Sequence, residues 1–421
     1  MKAVRKGRFF IIIIMEDTSK KSVLAMEGYA VRTKGISERV QKITVSAIKE
    51  MMMLGLSYPD AVSFGQGTPS FRTPAHIRGR VKKELDENPH IGKYSPMSGY
   101  KIFRDAAAKA LLEKRGISAN SDREIYITAG AMEAISTAVL TVVNPGDEVL
   151  VTSPCFPSHI EQITLAGGIP VFVPLIEEEG WKLDTDGFKK AITKKTKAMI
   201  ISNPSNPGGA VFPKEDQLKL AEFALAHGSI VITDEPYDFL VYDNREFYSL
   251  TNVPDLKNQR ISCFSLSKEY AMTGFRIGYV YAEEGFVNQM LKVHDAIAVC
   301  ASGLSQYAGL EALMGPQECV DEFREEFAKR RDLICSYFDE ISDLFSYQKP
   351  QGAYYIFPKV IPSVESYEFC IRLLKEARVV LVPGDAFGPT GKGHVRFSFA
   401  CSQEDISEGM QRIIKWWKEN K

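Results

Sequence analysis

Four side chains and one turn in this 421-residue chain stand directly after short apolar runs. The run Glu124–Thr128 leads into Gly130-Ala131-Met132, and Lys197–Ser202 leads to Asn206. Ser229–Thr233 leads to Asp234 and Tyr237, and Ile261–Ser265 leads to Ser267-Lys268. Open α/β sheets bind ligands outside the carboxyl ends of their strands, so these groups are expected on one rim. A lysine desolvated there loses its proton more easily and can form a Schiff base with an aldehyde. The turn Gly130-Ala131-Met132 opens a helix, whose free N–H groups and dipole suit a phosphate. Ser265 and Arg276 flank the lysine and can grip the same phosphate, the arginine in bidentate fashion. Asp234 at a buried strand end needs a cationic partner, which a protonated heteroaromatic nitrogen supplies. At about 4 Å and an effective dielectric near 20, that pair is worth about 4 kcal/mol, or roughly three pKa units. Such a shift keeps a pyridine protonated as an electron sink. Aldehyde, phosphate and pyridine together specify pyridoxal 5′-phosphate.

The elements that must position these groups are α/β in texture. Between about residues 100 and 300, apolar runs alternate with helical patterns, with Glu148–Thr152 and Ile277–Tyr281 joining the four above. Short Ile- and Val-rich runs separated by helices predict a mostly parallel, buried sheet. Beyond 315, Val320, Phe323, Phe327, Ile334, Tyr337, Phe338 and Ile341 mark a long amphipathic helix. Shorter strands are expected at Tyr354–Phe357, Val379–Val382 and Val395–Phe399, giving a second, smaller α+β domain.

Composition excludes several classes. Hydrophobic residues at 45% and charged residues at 25% argue against a disordered chain. The length suggests two or three domains at roughly 150 residues each. With 52 Lys plus Arg against 53 Asp plus Glu, there is no overall field to draw in nucleic acid or anionic lipid. The seven cysteines lie apart without a CxxC pair, and the six histidines form no HExxH, so neither a disulfide framework nor a metal site is expected. No apolar run approaches the ~18 residues of a membrane span. Lys2, Arg5, Lys6 and Arg8 followed by Phe9–Met15 imitate a signal peptide. The short apolar core and the Glu16-Asp17-Thr18-Ser19 that follows favour a cytoplasmic protein, with Met15 or Met26 as competing starts. Lysines 189, 190, 194, 195 and 197 read as a solvated helix end rather than a phosphate patch. Gly391-Lys392-Gly393 fails as a P-loop, because Ala386 stands at the first glycine and Gly393 at the Ser/Thr.

The segment Ser265-Leu266-Ser267-Lys268, with Gly274 and Arg276, resembles the SxSKxxxxxGxR signature of the fold-type I, class I/II pyridoxal-phosphate aminotransferases. The resemblance runs from about Val62 to Ala400. Gly65-Gln66-Gly67-Thr68-Pro69 is similar to the family's substrate loop, and Tyr94-Ser95-Pro96-Met97-Ser98-Gly99 to YxPxxG, whose tyrosine reaches the neighbouring subunit's phosphate. Ser153-Pro154-Cys155-Phe156-Pro157 resembles the segment carrying the aromatic that stacks on the cofactor. Asn206 and Tyr237 match the ligands of the ring oxygen, and Asp234 the pyridine partner. Arg396, within His394-Val395-Arg396-Phe397-Ser398, matches the clamp on the substrate α-carboxylate, beside Asn206 and Gly67. Three positions depart from the pattern: Phe156 replaces a more usual tyrosine, Gly208 a common threonine, and Met132 lends the phosphate only its backbone.

The resemblance implies a large domain with a mostly parallel sheet of the seven-stranded type and a small α+β domain. The expected division is an N-terminal arm and part of the small domain over 1–68, a large cofactor domain over 69–308 and a small C-terminal domain over 309–421. It implies a homodimer with shared active sites and ping-pong transfer of an amino group from an amino acid to a 2-oxo acid. Lys268 then serves as Schiff-base lysine and as general base and acid. Two alternatives stay open. One is elimination at Cβ or Cγ with the same cofactor, as in C–S lyases and aminocyclopropane-carboxylate synthases. The other is a cofactor-sensing regulator, which residues 1–60 are too short and too weakly basic to support. Residues 131–143 contain no Lys or Arg, which disfavours aspartate read from that helix. The expected donor is apolar or aromatic, and the acceptor 2-oxoglutarate.

Overall fold

The computed structural model describes residues 35–43 and 46–421. The signal-like stretch and its competing starts lie outside the described residues. Seven strands form the central sheet: β1 (Ile125–Thr128), β2 (Glu148–Ser153), β3 (Ile169–Pro174), β4 (Thr196–Ser202), β5 (Ile230–Asp234), β6 (Arg260–Ser265) and β7 (Gly278–Ala282). Their spatial order is β1-β7-β6-β5-β4-β2-β3, and only β7 runs antiparallel to its neighbours.

The six apolar runs all become strands of this sheet. The seventh, β3, escapes the sequence reading. Pro170 and Pro174 interrupt its pattern, and proline is tolerated there because β3 is an edge strand.

Successive residues of each strand feed opposite layers, as a buried parallel sheet requires. Val149, Val151, Ala198 and Ile200 join one apolar cluster, whereas Leu150, Met199 and Ile201 join another. The helix Ala131–Val142 covers the first layer with Ala134, Ile135, Ala138 and Val139.

The long helix expected after residue 315 spans Glu318–Glu340 and buries Phe323, Phe327, Ile334 and Phe338. Phe338 meets Phe397 edge-on at 5.0 Å between ring centres. Tyr355–Ile356, Val395–Ser398 and Val382–Pro383 make a three-stranded antiparallel sheet. The expected single strand Val379–Val382 is two. Val379–Val380 pairs in parallel with Val62–Ser63, and past Leu381 the chain changes partner to Val395–Arg396. That first pairing stitches the start of the described chain into the C-terminal layer. Among the described residues, no helix is long and apolar enough to cross a membrane.

Candidate active site

The carboxyl ends of β1, β4, β5 and β6 open on a cavity of about 530 Å³. Lys268 follows β6 by three residues, and its Nζ donates to the Gly67 carbonyl. Burial, together with the positive charges of Arg396 and Arg276, pulls its pKa down from 10.5 to about 8, with Asp234 opposing. Half of the population is therefore a nucleophilic amine near pH 8. Reductive trapping of Lys268 by an aldehyde in the cofactor-free protein should therefore level off just above pH 8. Surface lysines should keep gaining reactivity towards about pH 10.4. Peptide mass mapping of the trapped adducts measures both; a Lys268 profile matching the surface lysines would disprove the shift.

Asp234 closes β5 and is buried. Its Oδ2 accepts from His159 Nε2 at 2.9 Å, while its Oδ1 is buried without any partner. A buried acceptor left bare at a cavity wall is placed to accept from a ligand that enters the cavity. His159 is carried by the helix Pro157–Leu165, with Pro157 at its first position. Phe156, just before that helix, lines the same cavity.

Tyr237, one turn beyond Asp234, bonds its hydroxyl to that of Tyr355 at 2.8 Å. Burial raises the Tyr237 phenol well above its ordinary pKa, so it keeps its proton. Gly67 faces this pair, and any side chain there would collide with the Tyr355 hydroxyl. Arg396 is only 1% exposed. Its Nη2 donates to Gly65 O at 2.7 Å and its Nη1 to Asn206 Oδ1 at 3.2 Å, while its Nε has no partner.

The turn after β1 forms a cradle. Gly130 has φ +84°, and a Cβ on it would stand 2.7 Å from Arg276 Nη2. The N–H groups of Ala131 and Met132 belong to the first helical turn and have no carbonyl four residues back. Arg276 itself is left-handed at φ 50° and is tethered to Thr273 O, Ala129 O and Ser267 Oγ. Ser265 caps the approach by accepting from Ser267 N at 3.1 Å. Lysine amine, bare buried carboxylate and N–H cradle with arginine together fit a ring that carries an aldehyde, a basic nitrogen and a phosphate.

Behind the cavity, two adjacent residues at the end of the helix Lys101–Arg115 support both catalytic loops. Arg115 ion-pairs with Glu235 and Asp238, which bracket Pro236-Tyr237, each at 2.6 Å. Lys114 pairs with Glu269, the residue after Lys268. Breaking the buried Arg115–Glu235 pair would leave an uncompensated charge, which disfavours movement of the loop that carries Tyr237.

The cavity thus gathers Gly67, Ala131, Met132, Phe156, Asn206, Asp234, Tyr237, Ser265, Ser267, Lys268, Arg276 and Arg396, with Gly130 against Arg276. It does not gather Tyr94, which is 84% exposed on its own chain. Sequence reasoning missed His159, Tyr355 and the helix Ala47–Gly55, which brings Ile48, Lys49 and Met52 to the mouth. Proline at a helix start, with His159 two residues on, was the available signal for His159. Tyr355 and the mouth helix carried none, because only tertiary packing brings them here.

A strand-end lysine, a buried carboxylate and an anion cradle on this sheet define a fold-type I transferase site. Residues 59–413 match the family described as aminotransferase class I and II, and the chain belongs to that family. It is 37% identical to aromatic-amino-acid aminotransferase 2 of Thermococcus litoralis over 92% of this chain and 99% of that one. It is 36% identical to the aspartate aminotransferase of Pyrococcus abyssi, with the same coverage. Among solved structures it is similar to the aromatic aminotransferase of Pyrococcus horikoshii, with TM-score 0.82 and 37% identity over 88% of this chain and 99% of that one. It is also similar to the aspartate aminotransferase of Thermus thermophilus with maleate, with TM-score 0.85 and 32% identity over 91% and 99%. The protein is an aminotransferase.

Proposed function

We propose that the enzyme uses pyridoxal 5′-phosphate to move the amino group of an apolar or aromatic amino acid to 2-oxoglutarate, as a cytoplasmic homodimer. The observation that carries this reading is the bare Asp234 Oδ1 in the same cavity as the low-pKa amine of Lys268. Lys268, Asp234 and the Gly130–Arg276 cradle would hold the cofactor, with Asn206 and Tyr237 at its ring oxygen and Phe156 against its face. When bound, the cofactor supplies the aldehyde that takes up the amine and the ring that accepts the electron pair.

The chain's own residues do the rest. Arg396, with Asn206 and the Gly67 backbone, holds the substrate carboxylate, which fixes the Cα–H bond for attack. Lys268 Nζ takes the proton from Cα as general base and returns it as general acid. Asp234 Oδ1 would meet the ring nitrogen, with His159 orienting that carboxylate through its other oxygen. Tyr237 stays protonated and donates. Ile48, Met52 and Tyr355 offer apolar wall to the substrate side chain.

The exposure of Tyr94 suits a residue that completes a neighbour's site in the dimer. The division into an arm, a cofactor domain and a C-terminal domain is retained.

The test is an absorbance titration of the holoenzyme with single amino acids and no oxo acid, with product analysis. A complete shift of the cofactor band with one equivalent of the matching oxo acid establishes the half-reaction and ranks the donors. Continuous ammonia release with the band unchanged overturns it in favour of elimination.

A further inference from the structure

Among the described residues, four cationic side chains line the cavity: Lys268, Arg276, Arg396 and Lys49. Under the reading above, the first three are committed to the reacting carbon, the phosphate and the α-carboxylate. The one carboxylate in the wall among the described residues, Asp234, is held by His159. Lys49 alone remains without a task. It stands on the nine-residue helix Ala47–Gly55 at the mouth, between Ile48 and Met52. Residues three apart share a helix face, so Lys49 and Met52 present one cation and one apolar group together to the cavity. Its neighbour Glu50 is engaged elsewhere, accepting from Tyr367 Oη at 2.8 Å. It is therefore not the partner of Lys49.

We propose that Lys49 is a specificity-determining residue that reads the distal carboxylate of a dicarboxylate substrate. The helix lines the same cavity as Arg396 and Lys268, so it bounds the space open to a substrate side chain held there. A ping-pong enzyme must accept both partners in one pocket, so its cation has to serve one and tolerate the other. Lysine suits that requirement. Its four-carbon stem lies along an apolar side chain while the ammonium stays in water, and the same ammonium closes on a carboxylate when one arrives. Lys49 is exposed, so its side chain is open to solvent and to an arriving ligand.

The inference rests on the transamination reading, and the experiment separates the two. The holoenzyme and its K49M and K49R variants are compared by calorimetric binding of glutarate and 3-phenylpropionate, unreactive analogues of the two substrate classes. Steady-state kcat/KM is then measured for 2-oxoglutarate and phenylpyruvate with one donor. A charged hydrogen bond of this kind is worth roughly a tenfold to hundredfold change. K49M should lower the preference for glutarate over 3-phenylpropionate by at least about tenfold, with the same fall in the kcat/KM ratio, and K49R should retain most of it. Equal weakening of both ligands, or no change in either, overturns the assignment and places the distal reader elsewhere, including on a partner subunit. A loss of glutarate preference in a protein that releases ammonia and transfers no amino group to an oxo acid keeps Lys49 in this role and removes transamination.

Discussion

Replacing Lys268 by alanine should lower the rate of amino transfer by about ten-thousandfold, the upper range for a positioned general acid–base group. The other lysine of the cavity, Lys49, is on the mouth helix and not on the β6 loop. Arg276 and Arg396 cannot substitute, because a guanidinium does not deprotonate in proteins. For the same reason Lys268→Arg should be as inactive as Lys268→Ala. The measurement is a single-turnover rate, with circular dichroism to confirm folding. Added methylamine should restore part of the Lys268→Ala rate, since it returns a free base to the vacated volume. A variant that kept more than about 1% of the native rate would remove Lys268 from the proton-transfer step.

The second large effect is expected at Asp234. Asp234→Asn keeps the shape and one acceptor but removes the charge. The pair it would form with a ring nitrogen is worth about 4 kcal/mol at an effective dielectric near 20, which corresponds to roughly a thousandfold in rate. Loss of kcat on that scale, with KM for the amino acid little changed, is the predicted pattern, because Arg396, bonded to Asn206, would still be in place to hold the carboxylate under the proposed reading. Asp234→Glu should recover part of the loss at most, since the longer side chain cannot keep the 2.9 Å bond to His159 and the same Oδ1 position together. A near-native Asp234→Asn enzyme would mean that the ring nitrogen does not need its proton.

Comparison of the two halves of the site explains what could be foreseen. Lys268, Asp234, Asn206 and Gly130 were legible because each ends an apolar run, and a run of that kind locates a strand end without reference to the rest of the chain. The long helix Glu318–Glu340 was legible for a similar reason, its apolar spacing being local. The edge strand Ile169–Pro174 was not, because its prolines obey a rule about position in the sheet, which no local pattern states. Val379–Val382 read as one strand because its run of apolar residues does not say that its two halves pair with different partners.

The sequence alone determined the class of chemistry. Side-chain type at a strand end depends only on neighbours along the chain and on the general rule for where open sheets bind. Tertiary structure alone decided how those groups are tuned and bounded. Burial beside two arginines sets the Lys268 amine near 8. His159 leaves one oxygen of Asp234 bare. Tyr355 fills the space that Gly67 must leave open, and the helix Ala47–Gly55 brings Lys49 to the mouth. Each of these depends on residues distant in sequence sharing a volume of a few ångströms, where desolvation and charge–charge terms become large. Local pattern does not encode that proximity; packing of the whole chain does.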